Sequence, residues 1–241
     1  MRLDYYLLTN KGIKSRNFAQ ELIKEGLVKV DNKTITKAAY KVAKTANVEI
    51  TTEYQEYVSR GAYKLKKALE AFNIDLNDKT VLDIGASTGG FTQICLEAGC
   101  ALIYAVDVGK NQLALKLRNN PLVIVKENTD IRTINKQELV KLDFICCDVS
   151  FISALLILPK ISELAKAGCD IIILFKPQFE VGPSYLNKQG VVKDKTRTAQ
   201  CLTEFINQLP HYDLKFNGQI TSPILGKSGN EEYLLYLQKT K

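Results

Sequence analysis

Val81-Leu82-Asp83-Ile84-Gly85-Ala86-Ser87-Thr88-Gly89-Gly90-Phe91 is the stretch on which the reading of this chain turns. A short apolar strand ends at Ile84, three glycines follow within six positions, and a helix is predicted from about Phe91 to Ala98. A strand that passes through glycines into a helix lets a ligand approach bare backbone at a helix N-terminus. Two phosphate-binding loops share that outline, and neither fits. A dinucleotide fingerprint needs glycine where this chain has Ser87, and a P-loop needs Gly-Lys-Ser/Thr where it has Gly89-Gly90-Phe91. Gly226-Lys227-Ser228 has the tail of a P-loop, but Thr221 stands at the position of its first glycine.

Outward from the loop, strands are predicted at 80–84, 102–106, 122–125, 144–147 and 171–175, with helices at about 91–98, 111–117 and 154–165 between them. Such alternation implies parallel strands with right-handed helical crossovers. The stretches 216–221 and 233–237 read as strands on either side of a Pro/Gly-rich turn, an antiparallel hairpin at a sheet edge. The fold class is therefore α/β, a Rossmann-like sheet with a C-terminal antiparallel hairpin, preceded by a small α+β domain. Once phosphate loops are set aside, Asp-x-Gly-x-x-x-Gly-Gly fits the loop of S-adenosylmethionine enzymes, here Asp83, Gly85, Ala86, Ser87, Gly89 and Gly90. Asp83 is placed to meet the cofactor's ammonium group, directly or through water, Asp107 its ribose hydroxyls, and Asp130 its adenine amino group. A single aspartate at a strand end is commonly a turn or cap residue. Three at successive strand ends lie on the edge where open α/β sheets bind ligands.

Towards the N-terminus the character changes between about Thr51 and Arg60, which divides the chain into a domain at 1–50, a linker at 51–59 and a catalytic domain at 60–241. Over residues 1–50 ten basic residues stand against five acidic ones, and the whole chain of 241 residues carries a formal charge of +7. Such a balance draws a protein to phosphate backbones, although membrane surfaces and acidic proteins attract it too. Ser15 can cap a helix over Arg16 to Glu25 that Gly26 stops, Leu27 to Val30 and Val48 to Ile50 read as strands, and Asp31-Asn32-Lys33 is a turn. Lys11, Lys14 and Arg16 cluster at the helix entrance, where backbone N–H groups also attract phosphate. The match of Arg2-Leu3-Asp4, Leu7, Gly12, Ser15-Arg16, Ala19, Ile23 and Gly26-Leu27-Val28-Lys29-Val30 resembles the RNA-binding domain shared by a small-subunit ribosomal protein, tyrosyl-tRNA synthetases and some pseudouridine synthases. That resemblance implies that Arg2, Lys11, Lys14, Ser15 and Arg16 face RNA; it departs at Asp31-Asn32-Lys33, where the family has an Asn-Gly turn.

Methyl transfer also needs an acceptor site. Asp148, Lys176 and Glu232 lie near strand ends, and Lys64 lies on a helix in Ser59-Arg60-Gly61-Ala62-Tyr63-Lys64-Leu65, where Arg60 joins the RNA-facing set. The Asn/Asp-Pro-Pro-Tyr/Phe motif of adenine N-methyltransferases is replaced by Asp148-Val149-Ser150-Phe151, and Cys146 and Cys147 lack the Pro-Cys loop of base-carbon enzymes. Lysine beside carboxylate suits hydroxyl chemistry better. A ribose 2′-hydroxyl is a weak acid, and a neutral lysine that takes its proton must first lose one from a group with a free pKa of about 10.4. Lys64 and Lys176 are thus candidates for base and positioner, with Asp148 and Glu232 orienting the amines and Asp148 near the transferring methyl. Taken singly, each has a bland alternative as a solvated or capping charge.

Lys64, Asp148, Lys176 and Glu232 match in order and strand context the Lys-Asp-Lys-Glu set of FtsJ-type ribose 2′-O-methyltransferases. Together with Lys176-Pro177-Gln178-Phe179-Glu180 and Gly229-Asn230-Glu231-Glu232-Tyr233, the motifs along nearly the full length resemble the TlyA, or hemolysin-A-type, family. The resemblance implies 2′-O-methylation of a cytidine in large-subunit rRNA, and in some members also in small-subunit rRNA, with S-adenosylmethionine as cofactor and ribosomal RNA or ribosomal subunits as partner. A membrane-lytic protein and a non-catalytic RNA-binding protein are the competing readings. Lysis calls for an amphipathic or spanning segment, whereas the apolar runs here are short. The N-terminus lacks a basic start followed by an apolar run, so a soluble, cytoplasmic, monomeric protein is expected. The six cysteines show no ligand spacing, so buried thiols rather than a metal site are expected.

Overall fold

Two units, Met1–Glu56 and Tyr57–Lys241, make up the computed structural model, which describes residues 1–13, 16–24, 26–50 and 57–241. Lys14, Ser15, Glu25 and residues 51–56 of the expected linker lie outside the described residues. Tyr57, by contrast, is buried in the core of the second unit with its ring edge-on to Tyr63 at 4.9 Å, so 57–59 belong to that unit rather than to a linker.

The first unit comprises helices α1 (Leu3–Asn10) and α2 (Arg16–Lys24) and strands β1 (Val28–Val30), β2 (Lys33–Thr34) and β3 (Val48–Ile50), in an antiparallel sheet of order β2-β1-β3. Leu3 and Leu7 of α1, Ala19, Leu22 and Ile23 of α2, and Val28, Val30 and Val48 form one buried cluster. Helix α1 escaped the sequence reading because its apolar residues run round the helix without a clear stripe. The β1–β2 hairpin closes through Asp31 (φ 48°) and Asn32 (φ 63°), both left-handed, as a type I′ turn requires. Asp and Asn tolerate that conformation, and Asp31 accepts a hydrogen bond from the Asn47 N–H at 2.8 Å. The turn therefore forms without the family's glycine.

The second unit runs α3 (Gly61–Phe72), β4 (Thr80–Ile84), α4 (Gly90–Glu97), β5 (Leu102–Val106), α5 (Leu115–Arg118), β6 (Val123–Lys126), β7 (Leu142–Cys147), α6 (Leu158–Leu164), β8 (Ala165–Phe175), α7 (Lys195–Gln208), β9 (Leu214–Thr221) and β10 (Tyr233–Lys239). Its sheet has the order β6-β5-β4-β7-β8-β10-β9; the first five strands are parallel, and β10 and β9 form an antiparallel pair at the edge. Alternate residues of the central strands feed two cores. Leu82, Ile84, Ile145 and Cys147 pack on one face and Val81, Ile103, Phe144 and Cys146 on the other, as a sheet covered on both sides demands. All six cysteines are buried free thiols.

Two helical expectations change, and one helix is added. The helix expected at 111–117 shrinks to α5, because Glu127 accepts the backbone N–H groups of Asn111, Gln112 and Leu113 and holds that segment as a loop. The helix expected at 154–165 breaks into a 3₁₀ turn, Ala154–Leu156, and α6, which starts afresh with Pro159 in its first turn. Helix α7, absent from the sequence reading, begins at Asp194, whose carboxylate caps it by accepting the Arg197 N–H at 3.0 Å.

Candidate active site

The parallel order of β6, β5, β4, β7 and β8 brings their carboxyl ends to one edge, where the loops enclose a cavity of about 530 Å³. That size suits a nucleoside-scale ligand. Gly85 and Ser87 form its wall after β4, Asp107, Val108 and Gln112 after β5, Thr129 to Arg132 after β6, and Asp148 to Ile152 after β7. Gly85 has φ 83°, and a Cβ there would stand 2.5 Å from the carbonyl oxygen of Asp148, so the first and fourth loops meet only because that residue is glycine. Ser87 is left-handed as well, and its N–H donates to Asp107 Oδ2 at 2.8 Å, while Gly109 N–H donates to Oδ1 at 2.7 Å. Asp107 thus ties the first and second loops together at the cavity wall.

The other expected cofactor residues are placed differently. Asp130 lines the cavity, but its carboxylate is clasped by the Arg132 guanidinium and backbone, which hold it below the usual carboxylate range. Ala86, Gly89 and Gly90 lie outside the lining. Gly89 faces Leu113 and Leu117, and Gly90 abuts the start of α3. Asp83 does not face the cavity either. It is fully buried beneath the loop, Thr92 Oγ1 donates to Oδ2 at 2.6 Å, and Oδ1 has no hydrogen-bond partner among the described residues. Burial pushes its carboxyl up to about 7, against the Thr92 hydrogen bond and reinforced by the charge of Asp148. An orphaned buried oxygen under a glycine loop, acidic groups at the second and third strand ends and apolar walls from Ile84, Val106 and Ile131 make a donor set suited to a nucleoside with a cationic tail.

Beside this cavity the four acceptor-site candidates come together as two ion pairs. Lys176, at the end of β8, places Nζ 2.6 Å from Asp148 Oδ1 and donates to Ser150 Oγ at 2.7 Å. Lys64, on α3, donates to Glu232 Oε2 at 2.5 Å, and both are nearly buried. Gln178 links the pairs. Two residues beyond Lys176, it donates from Nε2 to Glu232 Oε1 at 3.0 Å, and since a carboxylate only accepts, this fixes the orientation of the amide. The neighbouring Glu231 is exposed and accepts from the Tyr233 hydroxyl instead. Cys146 and Cys147 are fully buried, and burial raises both thiols, that of Cys147 to about 12. They are unfit as nucleophiles.

Several contributors were missed. Glu180 accepts from Ser153 Oγ at 2.6 Å and from the Ala154 N–H at 2.8 Å, joining the loop that carries Asp148 to the one that carries Lys176. Glu127, held down to about 2 chiefly by Arg118, shapes the loop after β5. Gln178, Glu180 and Ser150 stand within motifs that were already singled out; for Glu127 the sequence offers no pattern. In the first unit, buried Asp4 pairs with Arg2 and with Arg16, each at 3.0 Å, and accepts from Gln20 at 2.9 Å, while Arg16 lies 4.8 Å from the Tyr5 ring. Those guanidiniums and Lys11 reach the surface, and Arg60 is half-buried before α3. Lys14 and Ser15 lie outside the described residues.

The FtsJ-like methyltransferase model matches residues 57–239, and the S4 domain model matches residues 1–48. The chain is 39% identical over 239 residues to the 16S/23S rRNA (cytidine-2′-O)-methyltransferase TlyA of Mycobacterium tuberculosis, covering 98% of this chain and 89% of the relative. It is 40% identical over 258 residues to the 23S rRNA (cytidine-2′-O)-methyltransferase TlyA of Campylobacter jejuni, covering 99% and 100%. A solved hemolysin-type structure from Streptococcus thermophilus superposes with a TM-score of 0.78 at 35% identity, over 100% of this chain and 89% of that one.

Proposed function

The chain belongs to the FtsJ-like methyltransferase family and is full-length kin of the TlyA enzymes, and from that premise we propose that it transfers a methyl group from S-adenosylmethionine to a ribose 2′-hydroxyl of a cytidine in large-subunit rRNA, with small-subunit rRNA as a second substrate to be tested. The observation that carries this reading is the pairing of Lys176 with Asp148 and of Lys64 with Glu232 beside the cavity whose wall Asp148 forms.

The cofactor, when bound, supplies a methyl group on a sulfonium, whose carbon–sulfur bond breaks as the new carbon–oxygen bond forms. Residues of the chain divide the remaining work. Asp107 offers its carboxylate to the ribose, Asp130 and the apolar wall receive the adenine, and Asp83 acts on the ammonium group from beneath the loop, through its unpartnered oxygen or an intervening water. Lys176 takes the 2′-hydroxyl proton while Asp148 and Ser150 aim its amine. Lys64, held by Glu232, positions the ribose. In the first unit Arg2, Lys11 and Arg16 contact RNA phosphates, with Asp4 holding the two arginines in place. Among the described residues no helix is long and apolar enough to cross a membrane. The test is transfer of labelled methyl from S-adenosylmethionine to purified large and small ribosomal subunits, followed by mapping of 2′-O-methyl sites. Label on a base rather than a ribose, or on neither subunit, would overturn the assignment.

A further inference from the structure

We propose that residues 186–195 form a lysine-bearing rail beside the active site that holds the sugar–phosphate backbone flanking the target nucleotide. This inference rests on the reading of the protein as an RNA methyltransferase. The segment has a built interior. The Asn187 side chain accepts the N–H groups of Gln189 and Val191 at 2.9 and 2.8 Å, its own N–H donates to the Val191 carbonyl at 3.0 Å, and Leu186 pairs with Val192. These bonds hold Lys188 at the tip of a tight turn.

Asn230 staples that turn to the active site. It is nearly buried, its Oδ1 accepts the Val192 N–H at 2.9 Å, its Nδ2 donates to the Gly190 carbonyl at 2.9 Å, and its own carbonyl accepts the Gly226 N–H at 2.8 Å. Two residues further on is Glu232, and one residue beyond Gly226 is Lys227, which lines the cavity. One amide therefore fixes the 186–192 turn against the segment that carries both a candidate active-site carboxylate and a wall of the cavity.

Charge selects the partner. Lys188, Lys193 and Lys195 are all exposed, within two residues of the stapled turn or just beyond it. The carboxylates nearby are engaged elsewhere: Asp194 caps α7, Glu204 pairs with Arg197, and Glu231 accepts from the Tyr233 hydroxyl. A surface that served solubility alone would mix the two signs. A strip of three exposed lysines, its one carboxylate turned to capping α7 and its turn stapled through Asn230 to the segment whose Lys227 lines the cavity, suits a polyanion entering that cavity. Long segments without regular structure inside a domain are also commonly functional.

Each lysine–phosphate contact contributes about 0.7 to 0.9 to the slope of log affinity against log salt, which amounts to roughly four- to fivefold in affinity at 0.15 M salt. The full-length triple variant Lys188→Gln/Lys193→Gln/Lys195→Gln should therefore bind ribosomal subunits with a slope lower by about 2 to 3 and an affinity lower by about 60- to 125-fold. Its S-adenosylmethionine affinity should not change. Lys188→Arg/Lys193→Arg/Lys195→Arg should restore the slope. An unchanged slope in the Gln variant overturns the rail, as does a loss that the Arg variant fails to restore. The binding arm decides the matter even if the parent transfers no methyl, a result that would instead refute the activity reading.

Discussion

Asp83 makes the buried chemistry of the cofactor loop measurable without any ligand. Its carboxyl is fully buried and pushed up to about 7, whereas in an unfolded chain it titrates near about 3.9. Between those values the folded protein holds a proton that the unfolded chain releases. The contribution to stability is thus full below pH 4 and lost as pH rises through 7, at about 1.4 kcal/mol per unit, or up to about 4 kcal/mol by pH 8. Asp83→Asn keeps an acceptor for the Thr92 hydroxyl and removes the charge. The variant should match the parent near pH 4.5 and exceed it in stability at pH 8, while binding S-adenosylmethionine more weakly if the carboxylate serves the ammonium group. Urea unfolding at a series of pH values, without cofactor, reads the first effect, and calorimetric titration reads the second. Parallel stability curves for parent and variant from pH 4 to 8 would falsify the claim that this buried carboxyl titrates in that range.

Lys64→Met strands the nearly buried Glu232 carboxylate with Gln178 as its remaining partner, at an expected cost of about 3 to 5 kcal/mol in thermal unfolding. Lys64→Met/Glu232→Leu should recover most of that stability and still transfer no methyl; a double variant as unstable as the single one would show that the pair is not the source of the loss. Lys176→Arg keeps the cation but removes an accessible neutral form, so single-turnover methylation should fall by about 100-fold or more while cofactor and RNA affinities change little. Near-normal turnover would show that a fixed positive charge suffices and end the assignment of proton abstraction to this lysine. Asp4→Asn should weaken RNA binding about tenfold by loosening Arg2 and Arg16. Because those partners hold the Asp4 carboxyl well below the usual range, its stabilisation is present above about pH 4 and is lost as pH falls, so acid unfolding should be less steep in the variant. Identical acid transitions would remove Asp4 from that role.

What could be read from the sequence was whatever local spacing controls. Strand ends and the glycine loop follow from a few consecutive residues, so the parallel sheet, its antiparallel edge and the positions of Asp107, Asp130, Asp148 and Lys176 near one edge could all be anticipated. Contacts that cross the fold could not. The four candidates could be grouped, but not which lysine meets which carboxylate: Lys64 and Glu232 stand 168 positions apart, and the packing of α3 against β10 brings them into one pair. Helix α7 was legible but overlooked, since Asp194 caps it and Cys201, Leu202 and Phe205 bury one face at helical spacing; the helix after β5 was overextended because Glu127, from the end of another strand, takes three of its backbone N–H groups.

Asp83 shows why a strand-end position is not yet a ligand contact. A side chain at the last turn of a central strand points either along the edge or into one of the two cores, and residue alternation decides which. Asp83 falls between Leu82 and Ile84, whose side chains pack into one core, so it points to the opposite face, where Thr92 of α4 meets it. Asp107 and Asp148 lie just past the ends of β5 and β7, free of that alternation, and both reach the cavity. The acid inside the strand therefore lies beneath the loop and outside the cavity lining, whereas the acids beyond the strand ends line the cavity itself. The same geometry explains the acceptor site. Lys176 follows Phe175, the last residue of β8, and turns its amine to Asp148 across the neighbouring strand end, while Gln178, one turn on, reaches the Glu232 carboxylate that Lys64 holds from α3.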